Sequence, residues 1–356
     1  MQKKLITLKH HADDYECMWN GIEDLYIRDT GEKLPPSFFF SLSSFGSICY
    51  MKTPNEDLKR MVALGDGRTK QMYKFLAPIV GFEYKHYEYE TFEQAIKKAK
   101  EEIDAGYPPV LGALDMYYLP YYLKLYHGEH IPFHYVLMVG YDDDAQRIYL
   151  HDCGREEVQM LSYDELRHAW NCSYPGLSKP NTVCAVRMNT TKNKYLIAKE
   201  ALAKKGEVFL NPPVSFVGRK GFQKFIHELH KLKSELTKAD YDRILANMVM
   251  FFGTVPTVPN ALRGTREPDE VNFGGGFDKM SRVLNDMGRE FGNEAWLKAS
   301  GLFEEGAIII SEITNVIVAY LTEKNDKTDD LPELFTKVMG IMTDGFVLLS
   351  PEFGMV

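Results

Sequence analysis

The chain has no excess of positive charge: its formal net charge is −8. A general nucleic-acid binder needs a basic field to neutralise phosphates, so that class of partner is excluded. A long unbroken apolar run is also missing. The best of them, GAIIISEITNVIVAYL at 306–321, is interrupted by Glu312 and Asn315 and falls short of a membrane span. The amino terminus, MQKKLITLKHHADD, has basic residues but no sustained apolar stretch and no small-residue cleavage site. These absences predict a cytoplasmic protein with no membrane partner. Nor is there a C-x-x-C pair: Cys17, Cys49, Cys153, Cys172 and Cys184 are odd in number and widely spaced. A disulfide framework and a zinc ribbon are therefore both disfavoured. Thiols kept reduced leave one of the five free to be reactive, although a cysteine is by default a small buried hydrophobe.

What is present is a globular composition, 45% hydrophobic and 26% charged over 356 residues. A chain of that length exceeds a single core, so two domains are expected. Residues 1–190 mix helical and strand patterns, and beyond 195 the text is almost entirely helical in period, with the polar stretch RMNTTKNKY (187–195) between them. The expected fold class is α+β followed by a mostly α-helical domain.

In the first part a helix is expected over 14–28, with Met18, Ile22 and Leu25 on one face. Asp13 and Glu16 stand in capping-box spacing, which puts Cys17 in the first turn. A second helix is expected over 91–106, a buried strand over 107–115, a hairpin from HYVLMVGY (134–141) and RIYLHDC (147–153), and a short helix over 162–170 capped by Ser162. The second part shows five helical periods, at 221–236, 238–252, 277–292, 295–321 and 331–349, which suggest a bundle.

A cysteine nucleophile acts as its thiolate and needs a neighbour that takes its proton or favours its charge. A helix start supplies part of that. Asp13, Asp14 and Glu16 oppose it unless they point away. Among ten histidines the hairpin selects one. With the turn centred on Asp143, His134 faces Asp152, close enough to hydrogen-bond and to orient the ring. A register error of one would offer His151 or Cys153 instead.

Cysteine on a helix start, with histidine and aspartate on a later hairpin, is the order of papain-like cysteine enzymes. Three segments narrow this: HHADDYECMWNGIEDLYIRDTGEKLPPSFFFSLSSF, PPVLGALDMYYLPYY and HYVLMVGYDDDAQRIYLHD. They resemble the amino-terminal domain of the butirosin biosynthesis acyltransferase family, a papain-like fold related to bacteriocin-leader peptidases. NFGGGFDKMSRVLNDMG (272–288) is similar to the helical domain that accompanies it. The resemblance implies a papain-like domain with an antiparallel sheet over 1–190 and a helical domain over 195–356. It further implies acyl transfer from an acyl carrier protein thioester to an amine of a small natural product, through an acyl-cysteine. Cys17 would be the nucleophile, His134 the general base and acid, and Asp152 the residue that orients it.

No metal and no cofactor of the chain's own is implied, because the acyl donor rides on the phosphopantetheine of a partner protein. The other partner is the small amine-bearing acceptor, and a homo-oligomer is left open. A peptidase or amidase using the same triad, and a non-catalytic binding protein on the same fold, are the alternatives.

Related peptidases place a glutamine where this chain has His11. His11 is thus an oxyanion candidate beside the Cys17 N–H, with Asn20 as substitute. The tyrosine-rich DMYYLPYYLKLY (115–126) could wall a substrate pocket through Tyr117, Tyr118 and Tyr121, or be only an amphipathic rim. Asp115 matches a family motif and could hold a cationic amine, or cap its loop. FGGGF (273–277) lacks the lysine and strand of a phosphate loop. HELHK (227–231) lacks the zinc-protease spacing, so His227 and His230 read as a solvated helix face.

Overall fold

A computed structural model of the protein describes residues 3–13, 17–43, 48–64, 69–123, 125–173, 179–190, 192–252, 276–323 and 325–350. The chain divides into two compact units, the first built from 1–40 and 68–194 and the second from 41–67, 195–258 and 267–356. In chain order the elements are β1 (Lys3–Leu5), α1 (Asn20–Thr30), α2 (Phe38–Leu42), β2 (Ile48–Lys52), β3 (Arg60–Leu64), α3 (Thr69–Val80), β4 (Phe82–Glu88), α4 (Phe92–Asp104) and β5 (Val110–Leu114). There follow β6 (His134–Asp142), β7 (Arg147–His151), β8 (Gln159–Ser162), α5 (Tyr163–Trp170) and β9 (Thr182–Met188). The rest is helical: α6 (Lys194–Leu210), α7 (Gly218–Glu235), α8 (Lys238–Phe252), α9 (Phe277–Phe291), α10 (Glu294–Val318) and α11 (Leu331–Leu349).

The first unit is an antiparallel sheet in the order β4-β9-β5-β6-β7-β8, with β1 pairing β6. On one face lies α4. Its buried residues Phe92, Ala95, Ile96, Ala99 and Ile103 recur at helical spacing and meet Leu111, Val136, Met138, Ile148 and Leu150 of the strands. Thr91 caps this helix by accepting from the Gln94 N–H. The capping box expected at α5 is present in full, with Ser162 and Glu165 exchanging bonds.

α1 sits so close to β6 that a Cβ built on Gly21 would lie 2.7 Å from Leu137 Cβ. Only glycine permits that approach. The helix stops at Gly31, whose φ of 70° places it in the left-handed region while its N–H bonds to the Ile27 carbonyl.

Two local expectations are corrected. α1 begins at Asn20 with Trp19 at its cap and no side-chain capping bond, so Cys17 occupies a turn just before the helix rather than its first turn. Asp13 accepts from the Ser37 hydroxyl at 2.8 Å, which occupies it elsewhere, and Asp14 and Glu16 lie outside the described residues. The β6–β7 register also differs: Asp142 pairs with Arg147 and Tyr141 with Ile148, and a shift at Met138/Gly140 then sets Leu137 opposite His151. The turn is centred between Asp144 and Ala145 rather than on Asp143, and the extra residue of the bulge in β6 moves the register one step back toward the expected one. His134 instead pairs with Leu114 on β5.

The second unit holds the β2–β3 hairpin, Ile48 opposite Leu64 and Lys52 opposite Arg60, together with α6 to α11. Its core is aromatic: Phe225 packs edge-on to Phe335 at 4.9 Å between centroids, and Phe303 to Phe346 at 5.4 Å. Both hairpin strands went unread in the sequence, and they belong with helices far away in the chain. Of FGGGF, only Gly276 and Phe277 fall among the described residues, and they open α9.

Candidate active site

α1 is buried nearly all round, including Asn20, Glu23 and Asp24. Buried carboxylates are costly unless bonded, so their partners locate the polar centre of the unit. Glu23 Oε1 accepts the Phe39 N–H at 2.7 Å, and its Oε2 is 3.4 Å from His11 Nε2. Asp24 Oδ1 accepts the His11 N–H at 2.7 Å, while Oδ2 takes His10 Nδ1 at 2.7 Å and His151 Nδ1 at 2.8 Å.

His134 and Asp152 meet although they are not directly opposed. Continuing the observed pairing past Leu137 and His151 makes Asp152 a diagonal neighbour of His134 on the same face, within reach of long side chains. His134 Nε2 lies 2.7 and 2.9 Å from the two Asp152 oxygens. Both residues are buried. Burial alone would lower the ring's pKa, but the Asp152 charge, the hydrogen bond to it and then the Cys17 side chain raise it from 6.5 to about 10. His134 is therefore an imidazolium at neutral pH. With Nε2 committed to Asp152, Nδ1 is the nitrogen left for Cys17.

Cys17 is partly exposed, which reagent or substrate access requires. Burial pushes the Cys172 and Cys184 thiols up to about 12, which keeps them protonated at neutral pH.

The tyrosines assigned to a pocket wall divide between two places. Tyr121 belongs to the site, its hydroxyl donating to Asp152 Oδ2 at 2.8 Å. Tyr117 stacks on His130 at 4.1 Å and Tyr118 on His168 at 5.3 Å. Asp115 accepts from the N–H groups of Tyr117 and Ile131 and from His130 Nδ1 at 2.6 Å, so it caps its loop. Asn20 Nδ2 donates to the His11 carbonyl, so one of its two N–H bonds is turned toward the backbone.

Tyr122 went unread. Its hydroxyl is 3.4 Å from His134 Nε2 and 3.3 Å from the Cys153 carbonyl, and the Arg155 guanidinium lies 4.3 Å over its ring. Burial holds the Tyr121 and Tyr122 hydroxyls protonated, hence as donors. The only available signal was the tyrosine-rich run itself, which did not say which rings face inward.

Two groups have a spacing that would suit a cation, His10–Asp24–His151 and His134–Asp152–Cys153. In both, the nitrogen–oxygen separations of 2.7 to 2.9 Å are those of N–H···O bonds. Protons account for them.

A buried imidazolium between a carboxylate and a partly exposed thiol defines a thiol–imidazole–carboxylate site on an antiparallel α+β frame. Residues 16–153, which contain Cys17, His134 and Asp152, match the family described as Butirosin biosynthesis protein H, N-terminal. That matched stretch makes the amino-terminal part of the chain similar to this family. No curated protein matches the chain. Among the described residues, no helix is long and apolar enough to cross a membrane.

Proposed function

We propose that the protein is a cysteine-dependent acyltransferase of natural-product biosynthesis, moving an acyl group from a carrier-protein thioester to an amine of a small acceptor. The observation that supports this reading is the buried His134–Asp152 pair acting on the Cys17 side chain, within the stretch that matches a family named for butirosin biosynthesis. The papain-like order of the three residues supports it further.

The Cys17 sulfur attacks the thioester carbonyl, and a tetrahedral oxyanion forms. The C–S bond to the phosphopantetheine breaks, and the departing thiolate takes its proton from His134. In the second half the acceptor amine attacks the acyl-cysteine, His134 accepts the amine's proton, and the amide leaves as the Cys17 thiolate and the His134 imidazolium are restored. Asp152 holds the ring in one orientation throughout. Thioester exchange is nearly isoenergetic, so the site's main duty is to exclude water, which the buried tyrosines around His134 serve. The Cys17 N–H, with His11 and Asn20, supplies the candidate oxyanion donors. The catalytic residues in this reading all lie in the first compact unit, within the 1–190 stretch.

The test is intact-protein and peptide mass spectrometry after incubation with acyl carrier thioesters. An adduct equal to the acyl mass should map to Cys17, disappear in Cys17→Ala and discharge onto added amines. An adduct that survives Cys17→Ala overturns the reading, as does efficient turnover of peptides with no carrier protein.

A further inference from the structure

His10 takes no part in the chemistry above, yet it is buried beside it. Its Nδ1 is 2.7 Å from Asp24 Oδ2 and its Nε2 is 3.1 Å from the Asp152 backbone carbonyl. A carbonyl only accepts. Asp24 turns its two oxygens to three nitrogens, the His11 backbone N–H, which donates, and the Nδ1 atoms of His10 and His151. A carboxylate there accepts from all three nitrogens. With Asp24 as the acceptor, both nitrogens of His10 carry protons. Burial opposes that charge, but the hydrogen bond and charge of Asp24, with the Asp152 carbonyl, outweigh it and raise the pKa. The titratable groups facing the ring are Asp24 from α1, His151 from β7, whose ring centroid is 4.2 Å away, and Asp152.

The same segment is tied down on either side. Asn20 Nδ2 bonds to the His11 carbonyl, and the Gly154 N–H bonds to the Asp13 carbonyl at 3.1 Å. His11 and Asn20 bracket the stretch that carries Cys17, and Gly154 follows Asp152 by two residues. His10 also stands ahead of residue 16, where the family match begins.

We propose that His10 is a positioning residue: as an imidazolium bridging Asp24 and the Asp152 carbonyl, it locks the Asp152 turn to α1 and the base of the Cys17 segment. Asp152 thereby faces His134 in one orientation, and nucleophile and acid hold a common frame. This rests on the reading of Cys17, His134 and Asp152 as a unit, and not on the identity of acyl donor or acceptor.

Two variants separate positioning from bulk. His10→Phe keeps a ring against His151 and removes both donors. Asp24→Asn keeps the shape and inverts the bonding: its oxygen still accepts the His11 N–H, and its two amide protons serve the Nδ1 atoms of His10 and His151, so His10 Nε2–H still reaches Asp152. The readout is the ratio of Cys17 alkylation rates by anionic iodoacetate and neutral iodoacetamide at pH 7, with the labelled cysteine identified by mass spectrometry. That ratio reports the imidazolium beside the sulfur. Relative to wild type it should fall about fivefold in His10→Phe, the effect of one unit charge at contact distance in water, and reach the level of Asp152→Ala. Asp24→Asn should stay near wild type.

Nitrogen-15 spectra of histidine-labelled protein supply a second arm that does not depend on Cys17. The His10 ring should show two protonated nitrogens at pH 7 in wild type and one in Asp24→Asn. Folded His10→Phe with a wild-type ratio overturns the proposal, as does a singly protonated His10 in wild type. A Cys17 no more reactive than a free thiol, beside a doubly protonated His10, sinks the catalytic reading and leaves the bridge standing.

Discussion

Replacing Asp152 by alanine should change how the stability of the first unit depends on pH. In the native site His134 is raised from 6.5 to about 10, chiefly because Asp152 overrides burial. At about 1.36 kcal/mol per pKa unit, that preference for the charged ring is worth on the order of 5 kcal/mol. The sign follows from the direction of the shift. A raised pKa contributes stability in full below the unfolded value near 6.5 and loses it as pH rises through about 10.

Removing Asp152 leaves the ring buried and without its counter-charge. The ring becomes neutral at pH 7, and the unit loses about 3 to 5 kcal/mol there. The gap between wild type and Asp152→Ala should then shrink by about 1.4 kcal/mol per pH unit between roughly 6.5 and 10. The difference between the two proteins is the proper readout. Lys205, whose amine burial pushes down to about 7, gives a slope of opposite sign, and it cancels in the comparison. Urea denaturation followed by tryptophan fluorescence measures the gap. In a Trp296→Phe background only Trp19 and Trp170 of the first unit report, since the chain has three tryptophans. Parallel pH curves for the two proteins would refute the assignment of the His134 charge to Asp152.

Three further outcomes are expected. Gly21→Ala places a methyl 2.7 Å from Leu137 Cβ, so it should cost about 1 to 3 kcal/mol in thermal or urea unfolding; an unchanged midpoint would mean that α1 does not lie so close to β6. Tyr121→Phe removes a donor to the buried Asp152 carboxylate, a loss of about 1.5 to 3 kcal/mol, and should slow alkylation of Cys17 in the same assay that leaves Tyr117→Phe unaffected. Ser162→Ala deletes the capping box of α5 and should lower stability by about 1 kcal/mol without altering Cys17 reactivity.

The parts of the fold that could be read in advance are those whose signal is local. α4, α5, α7 and the long carboxy-terminal helices announce themselves by a 3.6-residue period and by caps such as Thr91 and Ser162. β5, β6, β7 and β9 announce themselves as short apolar runs beside turn residues. The β2–β3 hairpin carries no such mark, and its association with the helices depends on partners more than 150 positions away, as the bond from the Tyr50 N–H to the Phe216 carbonyl illustrates.

The start of α1 was misread because the polar residues around Cys17 fit a capping pattern that the chain spends elsewhere, Asp13 on Ser37. The hairpin register departs from the expected one because the turn is centred between Asp144 and Ala145, which the acidic run around Asp143 does not mark, and the bulge in β6 recovers only one residue of that offset.

By itself the sequence determined the α+β and helical character of the two stretches, and it singled out Cys17, His134 and Asp152 as residues able to act together. Tertiary structure alone decided how His134 and Asp152 meet, diagonally past a bulge rather than face to face. It also decided that Tyr121 and Tyr122 turn inward, and that His10 and Asp24 form a buried ionic bridge to the same turn. The physical reason is that propensity and periodicity are properties of neighbours in the chain. The charge state of a histidine depends on what surrounds it after burial, when residues distant in sequence supply the acceptors and exclude the water.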